Sequence, residues 1–223
     1  MTVSINSLPK YTRYEEVANS STHFLGSLFS LGVLVFFIVF QAINAISFTY
    51  MIPFYIYVLF LGVMFTISGI YHSRPFGSKA RAIFRIIDHS DIYFCIAGTY
   101  TPLCMHAIAN TNIGYILLGV NWGLCILGAL LNLVKTDKFI VSLISYILYI
   151  VCGWLVMIVY PFNLGIPFLV FLFILLGGIL YSIGAILYAI GRKKKWLHTI
   201  FHIFVLLGAV TQFIGVYFIL VIS

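Results

Sequence analysis

The sequence predicts an all-α integral membrane protein, a bundle of seven transmembrane helices with its N-terminus in the cytoplasm and its C-terminus outside. Three observations predict it. First, 63% of the chain is hydrophobic and only 8% is charged, which is more apolar surface than one water-soluble core can use. Second, four long blocks carry no Asp, Glu, Lys or Arg: 17–73, 92–134, 139–191 and 196–223. Third, the basic residues fall where a seven-helix chain would bring all of them to one side.

A bilayer span takes roughly 20 apolar residues, so each of the first three blocks has room for two helices and a turn, and the last for one. Helix one is placed at 22–46, where the first block begins, and it ends at the turn-forming stretch "QAINAISFTYMIP". Helix two, 51–72, runs from there to the basic loop that holds Arg74 and Lys79. Helix three, 86–107, follows that loop and stops at "HAIANTNIG". Helix four, 113–134, ends before Lys135, and helix five, 138–160, ends at "YPFNLGIPF". Helix six, 165–190, ends at the run from Arg192 to Lys195, and helix seven, 197–222, fills the last block. Residues 1–21 then form a cytoplasmic N-terminal segment and 22–223 a single seven-helix domain. The N-terminus lacks a basic start, a short apolar run and a small-residue cleavage site, so helix one is expected to act as an uncleaved insertion signal.

Orientation follows from the twelve basic residues. Lys10 and Arg13 precede helix one; Arg74, Lys79, Arg81 and Arg85 lie between two and three; Lys135 and Lys138 between four and five; Arg192, Lys193, Lys194 and Lys195 between six and seven. Seven helices put all of them on one side, which the positive-inside rule assigns to the cytoplasm. The net charge of +7 is thus a property of one membrane face. Its expected partner is anionic lipid headgroups rather than nucleic acid, for which the chain has no motif. Cys95, Cys104, Cys125 and Cys152 form no C-x-x-C pair and are expected as free, buried thiols. "GVNWG" at 119–123 matches a helix-packing pattern that is common in apolar helices.

An ionisable group at membrane depth is costly and usually paired or functional, so the polar residues there carry the most information. In "WLHTIFHIF", His198 and His202 open helix seven four residues apart. That spacing sets the two rings about 40° apart on one face, one turn above the other, where both could bind one metal ion. Alone, the pair could equally snorkel toward headgroups or hydrogen-bond within a packed interface. His72, ending helix two on the same side, adds a third imidazole, and three neutral imidazoles are a common catalytic zinc set.

Thr199 and Ile200 stand between the helix-seven histidines, so a carboxylate base must come from elsewhere. Asp88, in "RIIDHSDIYF" at the start of helix three, could hold and deprotonate water at such a metal. It could instead stabilise the helix N-terminus, or pair with Arg85 or Arg81. Ser68, one turn before His72 in "SGIYH", could donate to a substrate carbonyl or to the oxyanion formed from it. Otherwise its hydroxyl bonds back to the carbonyl four residues earlier. In "EEVANSSTH", Glu16, Asn19 and His23 lie within about 60° around helix one and form one inward stripe. That stripe suits a hydrogen-bond network supporting the main site better than a second metal site. His89 and Asp91 flank Asp88, and His106 is expected at the outer interface.

These residues together resemble the haemolysin III branch of the progestin and adipoQ receptor family, within a wider group of membrane hydrolases that includes the alkaline ceramidases. The resemblance covers the whole chain. It rests on E-x-x-N-x-x-x-H at Glu16, Asn19 and His23, S-x-x-x-H at Ser68 and His72, Asp88, H-x-x-x-H at His198 and His202, and "AGTYTP" at 97–102. It implies a zinc ion (Zn2+) held by His72, His198 and His202, with Asp88 contacting the metal-bound water. Asp91 is not part of the shared pattern. For receptor-like members it implies an intramembrane lipid amidase acting on ceramide-like substrates. The bacterial branch takes its name from cell lysis attributed to pore formation. The absence of a long soluble N-terminal region, such as the adiponectin receptors carry, points to that branch and hence to the bacterial plasma membrane.

Two functions are therefore expected: a zinc-dependent hydrolase of a lipid amide or ester, or a cytolytic pore in which zinc is structural and ties helices two and seven. Helices four to six offer no ionisable residue to line a pore. A G-protein-coupled receptor is excluded by the cytoplasmic N-terminus, and a retinal protein by the lack of any lysine after Lys195. Substrate and oligomeric state are not encoded in any motif.

Overall fold

A computed structural model describes residues 10–108, 112–134, 139–160, 165–191 and 194–222. Among these residues are seven α-helices and no strand: α1 Arg13–Ile43, α2 Phe48–Ser73, α3 Lys79–Pro102, α4 Asn112–Val134, α5 Phe139–Val159, α6 Phe168–Gly191 and α7 Leu197–Ile222. A π-helical turn, Leu103–Ala107, prolongs α3 past Pro102. Residues 1–9, the middles of the α3–α4 and α5–α6 turns, Lys135, Lys138, Arg192 and Lys193 lie outside the described residues.

Two helices begin earlier than the charge-free blocks suggest. α1 starts at Arg13 rather than at residue 22 because "TRYE" closes a capping box. The Glu15 N–H donates to Thr12 Oγ1 at 3.3 Å and the Thr12 N–H donates to Glu15 Oε2 at 2.8 Å. α3 starts at Lys79 rather than 86, where Ser78 Oγ accepts the Arg81 N–H at 3.1 Å. Both extensions carry charged residues into the bundle instead of leaving them in loops.

Consecutive helices pack side by side, α7 returns against α1 to close the ring, and α3 reaches α2, α4, α5 and α7. Lipid tails are as apolar as leucine, so such helices hold together through close packing and buried hydrogen bonds. The α1–α2 seam shows both. Gly26 faces the Phe65 ring, Gly69 faces the Phe24 ring, and Ser20 Oγ donates to the Gly69 carbonyl at 3.0 Å. Gly119 and Gly123 of "GVNWG", in contrast, have nothing within 4 Å of where a Cβ would stand. That pattern marks no close helix approach here.

The outer face of α1 is apolar, with Leu25, Leu28, Leu31 and Val35 exposed, while its inner face buries Asn19, Ser20, His23 and Ser30. α1, α2, α4, α6 and α7 are long and apolar enough to cross a membrane. α3 carries Lys79, Arg81, Arg85, Asp88 and Asp91 in its first half, and its burial by four neighbours accommodates them. The protein is a multi-pass membrane protein. All four cysteines are free and buried. His106 sits packed at one end of the bundle, where its Nε2–H donates to the Tyr50 carbonyl at 3.1 Å and its ring stacks on Phe54.

Candidate metal centre

α7 begins at Leu197, so His198 and His202 occupy its first two turns, where their i, i+4 spacing turns both rings inward. His72 stands near the end of α2, which packs against the other side of α1. The three side chains are almost completely buried, at 3% exposure for His72, 7% for His198 and 1% for His202. Their nitrogens converge: His198 Nε2 lies 3.2 Å from His72 Nε2 and 2.9 Å from His202 Nε2. Ligand atoms of the three residues all fall within 4.8 Å of one another.

The donor set fits a metal. A neutral imidazole has one N–H and one lone pair, so three nitrogens that face each other cannot all be satisfied by the protons they carry. A cation between them satisfies all three lone pairs. Four ligands at zinc–nitrogen distances form a tetrahedron with edges of roughly 3.3 Å, close to the two separations seen here. His72 is also prepared for it. Its Nδ1 lies 2.8 Å from Glu16 Oε2, and a proton held there leaves the Nε2 lone pair free to face the centre.

The polar stripe of α1 surrounds these rings. Asn19 Oδ1 accepts from the Thr199 hydroxyl at 2.6 Å, locking α1 to the residue between the two α7 histidines. The His23 ring meets the His202 ring edge-on at 3.9 Å, and neither of its nitrogens has a hydrogen-bond partner. Glu16 uses its second oxygen on the Arg81 guanidinium. On the side of the N-terminus, Tyr11 stacks on His198 with centroids 4.6 Å apart. Burial raises its phenol well above the usual tyrosine range.

Asp88 lies well inside α3, not at its opening, because Ser78 provides the cap and the helix begins at Lys79. Helix-terminus stabilisation is therefore not its role. Arg81 is engaged by Glu16, and Asp88 instead has the His89 ring at 3.4 Å and the Ser68 hydroxyl as a hydrogen-bond donor. Its charge also acts on His198 and His23. Ser68, buried on α2, thus joins the carboxylate to the turn that ends in His72. Asp91, one turn further, is buried at 5% exposure without a side-chain hydrogen-bond partner.

The elements thus gather His72, His198, His202, Glu16, Asn19, His23, Ser68 and Asp88 at one end of the bundle. Sequence reasoning passed over two neighbours. Tyr11 fell in the cytoplasmic segment placed ahead of helix one, although the capping box in "TRYE" signals that the helix already begins there. Arg81 was one of twelve basic residues, and no local pattern marks it out.

Comparison with known proteins points the same way. A family model described as "Haemolysin-III related" matches residues 11–213. The chain is 39% identical over 209 residues to "Hemolysin-3 homolog" of Bacillus subtilis (strain 168), covering 93% of this chain and 95% of that protein. It is 32% identical over 221 residues to "Hemolysin-3" of Bacillus cereus, covering 98% and 97% of the two chains.

Proposed function

This chain belongs to the haemolysin III-related family, and from that premise we propose that it is a zinc-dependent hydrolase cleaving an amide or ester bond of a membrane lipid. The observation that carries the reading is the convergence of three buried imidazole nitrogens beside a carboxylate that is itself held by a serine. When bound, zinc supplies a Lewis acid that lets water lose a proton near neutral pH.

The rest is the work of this chain's own residues. His72, His198 and His202 hold the ion, and Glu16 orients His72. Asp88 takes the proton from water as the oxygen attacks the carbonyl carbon, and returns it to the leaving nitrogen or oxygen as the old bond breaks. The Ser68 hydroxyl, which holds Asp88 before attack, turns its single proton to the carbonyl oxygen, where negative charge develops, as Asp88 takes up the proton from water. The basic ends of the bundle face the cytoplasm of a bacterial plasma membrane in this reading, and so does the centre.

A second reading has one observation in its favour. The three histidines come from two helices, so a bound ion would tie α2 to α7 whether or not it does chemistry. The protein would then be a cytolytic pore former, and the relatives carry haemolysin in their names.

Metal content and lipid-amide hydrolysis of detergent-purified protein separate the two. The hydrolase reading expects about one zinc per chain, lost in His198→Ala and kept in Asp88→Ala, with fatty-acid release stopped in both variants. Wild-type protein without stoichiometric metal sinks the zinc chemistry. Red-cell lysis that needs zinc but survives Asp88→Ala favours the pore.

A further inference from the structure

Arg81 is the largest fully buried side chain of the described protein, at 1% exposure. A guanidinium is always charged, and burying it costs several kcal/mol unless partners replace its water. Its partners define a direction. One terminal nitrogen donates to Glu16 Oε1 and the other to the Arg74 carbonyl at 2.9 Å, just past the end of α2. The plane lies over the Tyr71 ring, with Cζ 4.9 Å from its centroid. Both bonded groups are close to His72: Arg74 and Tyr71 flank it in sequence, and Glu16 Oε2 contacts its Nδ1 at 2.8 Å.

We infer that Arg81 is a positioning residue for the three-histidine centre, acting through Glu16 on His72. The inference rests on the metal reading above. A carboxylate alone could swing between rotamers. With Oε1 fixed on Arg81, its other oxygen is presented to His72 Nδ1, which sets that ring's tautomer and angle and keeps Nε2 aimed at the ion. Such outer partners typically change metal affinity by 10–100-fold when lost. Asp88 and Asp91 are the nearer carboxylates along α3, one helix with Arg81, yet the arginine bypasses both for a residue on α1.

The test is zinc affinity, measured on the detergent-purified full chain by competition with a chromophoric chelator, for Arg81→Met, Glu16→Gln and the double variant. Expected is a loss of about 10-fold or more in each single variant, and a double variant no weaker than Glu16→Gln alone. An unchanged affinity in Arg81→Met overturns the inference. So does a double variant clearly weaker than Glu16→Gln, since Arg81 would then act through the fold at large. Should Arg81→Met fail to purify, Arg81→Lys replaces it in the same comparison, because lysine keeps the buried charge but lacks the planar fork that reaches Glu16 and the Arg74 carbonyl together. A wild-type protein that binds no zinc fails the metal reading itself, whereas one that binds zinc indifferently to Arg81 fails only this inference.

Discussion

The Tyr11 ring lies parallel to the His198 imidazole, with centroids 4.6 Å apart and planes 18° from each other, and leans on His72 at 5.9 Å. It therefore covers two of the three converging rings from the N-terminal side. The segment is held in place at three points: Lys10 over the Phe76 ring, the Thr12–Glu15 capping box, and Glu15 Oε1 accepting the Trp196 N–H at 2.7 Å.

The first prediction follows from that cover. Tyr11→Ala should let a water-soluble chelator strip zinc several-fold faster than from wild type, and Tyr11→Phe should not. The ring does the covering, and the phenol, its ionisation shifted up by burial, stays neutral through the working pH range. Equal stripping rates for the alanine variant and wild type would mean that the ion escapes by another route.

How much of this site could be read in advance depends on what kind of signal each residue leaves. His72, His198 and His202 were legible because helix counting puts them at one level and a polar ring in an apolar run demands a reason. Glu16, Asn19 and His23 were legible as a stripe because helical periodicity puts them on one face. Tyr11 and Arg81 were not, since each works through a tertiary contact that no spacing encodes. The boundaries of α1 and α3 failed for a related cause: charge-free blocks measure what lipid tolerates, and both helices continue beyond it under their own caps. Asp88 then changed meaning, from a residue at a helix opening to a half-buried one well inside its body.

The second prediction concerns the α1–α2 seam that sets the distance between His72 and the α1 stripe. A Cβ on Gly26 would collide with the Phe65 ring, whereas one on Gly119 would meet nothing within 4 Å. Gly26→Ala should therefore destabilise by about 1–3 kcal/mol as the seam is forced apart. Gly119→Ala should be neutral or slightly stabilising, since alanine is the better helix former by about 1 kcal/mol. Thermal unfolding in one detergent compares the two, and a Gly26→Ala protein as stable as Gly119→Ala would contradict the packing described.

The third prediction separates two carboxylates one turn apart on α3. Asp88 has the Ser68 hydroxyl and His89 beside it and acts electrostatically on His198, whereas Asp91 is buried without a side-chain hydrogen-bond partner. A group that handles protons in the reaction should be positioned by hydrogen bonds and felt at the centre, and of these two aspartates Asp88 has the serine partner and the electrostatic effect on His198. Asp88→Asn keeps the size and the serine contact but cannot take a proton, so turnover of a lipid amide should fall by roughly 100- to 10,000-fold with zinc retained. Asp91→Asn, a change of similar size at a group without a side-chain partner, should leave turnover within about twofold with zinc retained. If the two variants exchange these outcomes, the catalytic carboxylate is Asp91, and the Ser68–Asp88 contact only packs α2 against α3.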